Sequence, residues 1–436
     1  MQAKNNLVKF WTLFLFMWLS FSLLLTSCSP LNSSSQDENI TQLTLWHGIN
    51  PPPNREVFQE LVNKFNQTHE QIEVEAIYIG QPDAQLPKIL AAVVGDVPPD
   101  MLWFVPQLTG QLLELGAIRP LDDWINQSPL KEEIDPVLLA SMELNDHIWS
   151  VPMGTNNAGI FYRPSLFEKA GIEKIPETWT ELEATAEKLT QDFDEDGRID
   201  QRGMFLSLGK GEWTVFTWLP FVYSAQGELL TESNQPNLVN EGTISALEFG
   251  EKLVQNNWAM LSAPERGYEL DNFLSGQVAM QVTGPWTLGQ LREIDIDYDV
   301  FPFPKKQQQA AVVGGENLFV FKTNPEREKA CFEFLEYVLS EKFQTEWALR
   351  TGYLPVNVKS QQSEKYQQFV EDNPVLEVFL DQMKVAKVRP IIPNYNRLSE
   401  NFGRAIEASL LGNKEPKITL EESQRRLELI FADRAP

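Results

Sequence analysis

The residues best suited to bind something are aromatic. Of the 12 tryptophans, Trp46, Trp103, Trp213 and Trp286 fall where strand-like segments end or loops begin. In a cleft wall, flat rings pack against the apolar C–H faces of a sugar while amide and backbone groups meet its hydroxyls. Core packing is the competing use of any one tryptophan, and it suits Trp124, Trp179, Trp258 and Trp347 better. Gly314-Gly315-Glu316-Asn317 offers a second wall, because glycines let backbone approach a ligand closely. A turn between lobes would use the same residues. His47 is the histidine best placed for a site, and Arg163 and Arg389 are the cations nearest these walls. Phosphate would want several converging forks, which the sequence does not gather there.

Asp192-Phe193-Asp194-Glu195-Asp196-Gly197-Arg198-Ile199-Asp200 has acids at alternate positions and glycine at the sixth, the opening of a calcium loop. Asp192, Asp194, Asp196 and Asp200 are its candidate ligands, but the twelfth position, normally a bidentate Glu, is Gly203. A structural calcium and a solvated acidic turn are both compatible with that pattern. No cofactor is otherwise required. G-x-S-x-G, H-E-x-x-H, Walker A and complete G-x-G-x-x-G motifs are absent from the sequence. An enzyme is therefore not expected; the rival would be an extracellular glycoside hydrolase, which needs two carboxylates flanking a sugar.

The elements that must position these residues alternate. Leu43–Trp46, Ile72–Tyr78 and Asp100–Val105 read as strands, while Arg55–Phe65, Leu86–Val94 and Leu108–Leu115 carry helical apolar spacing. Such alternation argues an α/β fold with largely parallel sheets, whose ligands sit at the carboxyl ends of strands. That rule gathers Trp46-His47-Gly48, Trp103-Phe104 and Gln107. A second series begins near Gly154 and includes Gly159–Tyr162, a helix over Trp179–Leu189, and Val278–Val282. Helical patterns over Glu326–Leu339 and Ser399–Leu411 close the chain. With no long linker between the halves, two lobes are expected to exchange strands.

Composition narrows the partners. The 436 residues carry 36 Lys plus Arg against 61 Asp plus Glu, a formal charge of −25, and the negative field disfavours nucleic acid. Lys4 and Lys9 precede the apolar run Phe10–Leu25, which ends in Leu25-Thr26-Ser27-Cys28. Basic, apolar and small-residue segments in that order read as a secretory signal. The run is shorter than the about 20 residues a bilayer crossing needs. Loss of residues 1–27 removes two lysines and no acids, which takes −25 to −27. Residues 28–40 read as a flexible polar tether. The other cysteine, Cys331, sits in an apolar-periodic segment and reads as an inert core residue.

Several ordered segments carry a resemblance. Leu43-Thr44-Leu45-Trp46-His47-Gly48, Val97-Pro98-Pro99-Asp100-Met101-Leu102-Trp103-Phe104 and Gly159-Ile160-Phe161-Tyr162-Arg163 resemble the maltose-binding type of extracellular solute-binding protein (family 1), and Leu25–Cys28 resembles the bacterial lipoprotein box. Ile175–Leu182, Phe273–Met280, Gly284-Pro285-Trp286, Gly352–Val356, Arg389-Pro390 and Pro393-Asn394-Tyr395 continue the likeness in order. It implies a class II, periplasmic-binding-protein-like α/β fold, with two lobes that exchange strands and a central cleft. Lobe 1 would take residues 41–153 and 312–375; lobe 2 would take 154–311 and 376–436, the last segment including interlobe C-terminal helices.

The same resemblance implies a lipoprotein, lipidated on Cys28, exported and held on the periplasmic or extracellular side of a membrane by that anchor alone. It would bind a neutral sugar or glycoside and deliver it to the permease of an ABC importer, working as a monomer. The family's site aromatics match Phe104 on lobe 1 and Tyr162 and Trp286 on lobe 2. A polar site residue falls on Asn156, with Asn157 beside it; an acid is replaced by Gln107; and a basic or polar residue falls in the turn from Asn50 to Pro53. These departures put maltose itself in doubt and leave a smaller or differently shaped glycoside open. A phosphorylated polyol such as glycerol phosphate is the alternative on the same fold.

Overall fold

Each wall of the molecule is built from a strand-then-helix repeat that begins with β1 (Thr41–His47). The computed structural model describes residues 40–264 and 269–432; the signal, the tether as far as residue 39 and the lipidation candidate Cys28 lie outside the described residues. The part from Gln42 onward forms one compact unit. After β1, three consecutive prolines open the helix Pro52–Thr68, where a missing N–H costs nothing because first-turn donors have no intrahelical partner. Its Val57, Phe58, Leu61, Val62 and Phe65 are buried. β2 (Ile72–Tyr78) opens with the alternation expected of a half-buried strand, Ile72 and Val74 buried and Glu73 and Glu75 exposed. The helix Pro82–Val94 and the fully buried β3 (Met101–Phe104) follow.

A small hairpin, β4 (Glu143–Leu144) with β5 (His147–Ile148), leads to β6 (Ser150–Asn156), and the chain then crosses to the second lobe at β7 (Gly159–Tyr162). Lobe 2 continues through β8 (Arg202–Leu206), β9 (Ala259–Leu261), β10 (Val278–Thr283) and β11 (Asp299–Phe301). β12 (Ala311–Val320) returns to lobe 1, and β13 (Ala386–Val388) is the last strand.

Two sheets result. The first has the order β13-β12-β3-β1-β2 with β6 also paired to β12; the second has the order β11-β7-β10-β8-β9. β1 and β3 run parallel, with Trp46 opposite Leu102. β12 runs antiparallel to both β3 and β6, so two long-range crossings hold lobe 1 together. β13, expected with lobe 2, instead adds a parallel edge strand to the first sheet beside β12. Backbone pairing to β12 overrides the chain-order division there.

Lobe 1 encloses Leu45, Phe58, Phe65, Phe334 and Trp347; lobe 2 encloses Leu182, Trp218, Phe221, Phe249 and Phe402. Cys331 is fully buried on the helix Pro325–Leu339, and burial pushes its thiol far above the ordinary range. In lobe 2 the helix Glu212–Ser224 is buried from Thr214 onward, as an all-round apolar helix must be. The C-terminal helix Tyr395–Leu410 packs beside it, and both Tyr395–Leu410 and Pro416–Ala432 pack against Glu241–Gln255. That leaves only the start of the helix Glu212–Ser224 to face the cleft.

Candidate ligand-binding site

Between the lobes lies a cavity of about 340 Å³, within the size range of small-molecule sites. Its lobe 1 side carries Gly48, Asn50 and Pro51 from the turn after β1, Gln81 after β2, and Trp103. Its lobe 2 side carries Trp213 and Phe216 from the first turn of the helix Glu212–Ser224, and Trp286 from the turn after β10. Gly314, Gly315 and Glu316 of β12 line it as well, with Asn156, Tyr353, Arg389 and the acids Glu212, Glu269 and Asp271.

The aromatic corner follows from local geometry. Trp213 and Phe216 are three residues apart, so one helix face presents both. The Trp213 and Trp286 rings meet edge to face at 5.8 Å and 79°. Phe216 lies 5.9 Å from Trp213 and 6.4 Å from Trp286. A Cβ on Gly284 would stand 2.1 Å from the Trp286 ring, so glycine is what allows that ring to fold back. At the base, Gly315 has φ +113°, and a Cβ there would come within 2.3 Å of the Gly154 carbonyl oxygen. Both the backbone sign and the close crossing of β6 and β12 require glycine.

Polar groups converge behind the rings. Arg389 is buried, its guanidinium lies 5.0 Å over the Phe216 ring, and its Nη1 donates to Glu212. Glu212 also accepts from the Tyr395 hydroxyl at 2.8 Å and from Ser399 Oγ. The Arg389 Nε–H has no partner in the protein. Burial pushes the Glu316 carboxyl up to about 7, against the pull of Arg389 and of the nearby Tyr353 hydroxyl. Asn54, in the first turn of the helix Pro52–Thr68, donates from Nδ2 to the Trp286 carbonyl at 3.0 Å and so ties one wall to the other.

Of the expected site residues, Asn50, Asn156, Trp213, Trp286, Glu316 and Arg389 line this cavity. Five others do not. His47 is buried edge-on to Phe58 at 5.2 Å, and its Nδ1 accepts from the Ile49 N–H. Burial, with Arg55 nearby, lowers its pKa to about 4. Phe104 is buried in a lobe 1 core with Leu102 and Phe319. Gln107 is turned behind the Gly314–Gly315 backbone, where it lines a chamber of about 10 Å³. Asn157 is fully buried, donating to the Phe379 carbonyl at 2.8 Å and accepting from Gln382 at 2.9 Å. Tyr162 packs between Phe167 and Phe301 and donates to Asp299 at 3.1 Å; burial and that carboxylate push its hydroxyl up to about 12. His47, Phe104, Asn157 and Tyr162 lie at or just past the ends of strands, where the packed sheet turns these side chains to a core rather than to the cleft. Arg163, too, is engaged elsewhere, with Asp297 at 2.7 Å.

Sequence reading passed over Glu212, Phe216 and Tyr353. Phe216 could have been found from its i+3 spacing to Trp213, and Glu212 from its place just after Gly211. Nothing local marks Tyr353. In the acidic loop, carboxylates of Asp192, Asp194 and Asp200 offer oxygens within 4.8 Å of one another, while Asp196 stands apart from that trio. Asp192 accepts from the Gly197 N–H at 2.8 Å and Asp200 from the Phe193 N–H at 2.7 Å. Asp196 Oδ1 accepts from the Arg198 N–H at 2.8 Å.

Comparison with known proteins supplies a frame for this geometry. The profile of the family described as bacterial extracellular solute-binding protein matches residues 60–374. The sn-glycerol-3-phosphate-binding periplasmic protein UgpB of Yersinia pseudotuberculosis is 23% identical over 430 residues, covering 92% of this chain and 94% of that one. An ABC transporter solute-binding protein of Thermotoga lettingae, solved with α-D-tagatose, matches with a TM-score of 0.80 at 23% identity over 89% of this chain and 99% of its own. UgpB of Mycobacterium tuberculosis, solved with glycerophosphocholine, matches at 0.79 and 20% over 90% and 99%. The likeness establishes the fold, a class II periplasmic-binding-protein architecture with mixed α/β lobes.

Proposed function

This chain belongs to the bacterial extracellular solute-binding proteins, and from that premise we propose that it captures a neutral sugar or glycoside and delivers it to the permease of an ABC importer. The family binds solutes and does no bond chemistry, in agreement with the expectation of a non-enzyme. Disaccharide or glycosyl-polyol size suits the cavity of about 340 Å³. The observation that carries this reading is the aromatic corner of Trp213, Phe216 and Trp286 beside a cavity short of free positive charge. Among the described residues, Arg389 is the one cation lining it, and Glu212 occupies that cation. Glu212, Glu269, Asp271 and Glu316 line it too. A phosphate dianion would enter against those carboxylates, whereas sugar hydroxyls can donate to them.

Capture works by population shift: sugar stacked on lobe 2 gains its lobe 1 contacts only when the lobes approach, so it favours the closed state. A melt screen against maltose, trehalose, sucrose, a glycosylglycerol and sn-glycerol 3-phosphate tests the claim. A ligand at 100 times its Kd stabilises the fold by about 2.7 kcal/mol. A shift with phosphate alone would reverse the ligand class. The phosphorylated polyol is the second reading, supported by the Yersinia relative's name and by the unpartnered Arg389 Nε–H.

Three further proposals come from the sequence. Cys28 carries the lipid that holds the exported protein at its membrane; a Cys28→Ser chain should appear in the soluble fraction and take up no labelled fatty acid. No helix among the described residues is long and apolar enough to span a bilayer. The body works as a monomer, which sizing by light scattering checks. The Asp192–Asp200 loop holds a structural calcium, supported by the convergence of three carboxylates. Millimolar calcium should then raise the melting midpoint, and Asp194→Ala should abolish the rise; no shift in the unaltered protein ends the idea.

A further inference from the structure

Glu316 sits at the point where β12 is irregular, the register with β6 shifting between Glu316 and Asn317. There the strand passes between lobes and turns the carboxyl to the cavity. Tyr353 lines the same cavity beside it. The Glu316 Oε2 is buried and has no partner in the protein. Arg389, from the segment after β13, is the cation that faces it, but the guanidinium is bound to Glu212. Asn156 from β6 stands beside it with no charge to offer. Glu316 is thus a cavity acid with a carboxyl oxygen that the protein leaves without a partner.

We propose that Glu316 binds the ligand as a neutral carboxylic acid, donating its Oε2–H to a ligand oxygen, so that capture takes up one proton from solvent whenever the acid begins ionised. The inference rests on the neutral-ligand reading above and adds the protonation state the site selects. Lobe closure over an uncharged ligand displaces the remaining water without bringing a cation. A carboxylate then loses hydration and gains no counter-charge, whereas the acid loses little and makes a hydrogen bond. The uncovered site already leans this way, since burial lifts this carboxyl to about 7 even against Arg389 and Tyr353. Covering it lifts the value further.

The direction of the pH effect follows. A group whose pKa rises on binding favours the complex below its free value, and that advantage is lost as pH climbs through and above it. Affinity should be full near pH 6 and weaken above pH 7, approaching about tenfold per pH unit for one proton. Neither His47, behind the cavity wall, nor Tyr353, beside the acid, mimics this. His47 is held at about 4 and is neutral throughout, and burial next to Glu316 keeps Tyr353 protonated well above the range.

Isothermal titration of the whole mature protein with trehalose, sucrose and a glycosylglycerol, at pH 6, 7, 8 and 8.5, tests the proposal. In buffers of different ionisation enthalpy, binding at pH 8 should take up close to one proton per ligand, falling toward zero at pH 6. Glu316→Gln keeps a donor of the same shape and should reduce the pH dependence to less than about twofold across the range. A wild-type Kd that stays flat with no proton uptake overturns the role of Glu316 and leaves the neutral-ligand reading intact. A Glu316→Gln protein that keeps the full slope overturns it too. If Glu316→Gln fails to fold, the proton count on the unaltered protein decides alone. Binding of sn-glycerol 3-phosphate with no response to any glycoside sinks the neutral-ligand reading, and this inference with it.

Discussion

The two lobes meet the same cavity with different chemistry. Lobe 2 presents large rings, Trp213 and Phe216 on a helix start and Trp286 on the turn after β10. Lobe 1 presents the amides Asn50 and Gln81 with Gly48 and prolines, carried on the turns after β1 and β2, and fewer rings, Trp103 and Tyr353. Rings offer broad contact at little entropic cost, whereas amides bind only at set distances and angles. For the sugar proposed above, the difference sets an expected order of events: the ligand first settles on lobe 2, and lobe 1 meets its hydroxyls as the cleft closes. Affinity should then concentrate on lobe 2 and discrimination between sugars on lobe 1.

The most severe way to break this arrangement is at the base that both walls share. Arg389→Ala removes the buried partner of Glu212 and the cation over Phe216. Stripping one member from a buried pair costs about 3 kcal/mol or more, so the denaturation midpoint should fall and sugar binding should vanish. A midpoint within experimental error of the original would mean that the pair contributes nothing to the fold. Next in size is the wall asymmetry itself. Trp213→Ala should weaken sugar binding by about 2 kcal/mol, roughly thirtyfold, and Gln81→Ala by about 0.8 kcal/mol, roughly fourfold. Equal losses from the two variants would erase the distinction between the walls.

Asn54 tests the link between them. Its Nδ2 spans from the lobe 1 helix to the Trp286 carbonyl, while its own Oδ1 is buried without a partner. Asn54→Ala should cost about 1 kcal/mol, roughly fivefold in affinity, and the loss should appear in ligand release rather than capture. A slower association with unchanged release would assign Asn54 to folding of lobe 1 instead of to closure.

How much of this could be read beforehand depended on range. Ile72–Tyr78, Gly159–Tyr162 and the helix Trp179–Leu189 match their sequence patterns end to end. Local signals suffice there: alternation in β2, and a Thr178/Glu181 capping box at the helix start. β13 was not legible, because its place is fixed by pairing to Ala311–Val313 far away in the chain. The site divides the same way. Trp213 and Trp286 stand at breaks between elements, which sequence can mark, and both line the cavity. Phe104 and Tyr162 end strands as well, but period-2 alternation sends one side chain in two to each face, and only the packed sheet decides which face is core.

That last distinction has its own test, with the smallest effect of all. Tyr162→Phe removes the hydroxyl that donates to Asp299 and keeps the ring between Phe167 and Phe301. Losing a partly buried hydrogen bond to a charged group should cost stability by about 1 kcal/mol. Sugar affinity should stay within about twofold, because the ring belongs to the lobe 2 core and the cavity wall lies on Trp213, Phe216 and Trp286. Titration and a denaturant melt on the same preparation separate the two quantities. A loss of affinity without a loss of stability would put Tyr162 on the ligand after all, and would mean that the lobe 2 wall extends along β7 as well as along the helix start.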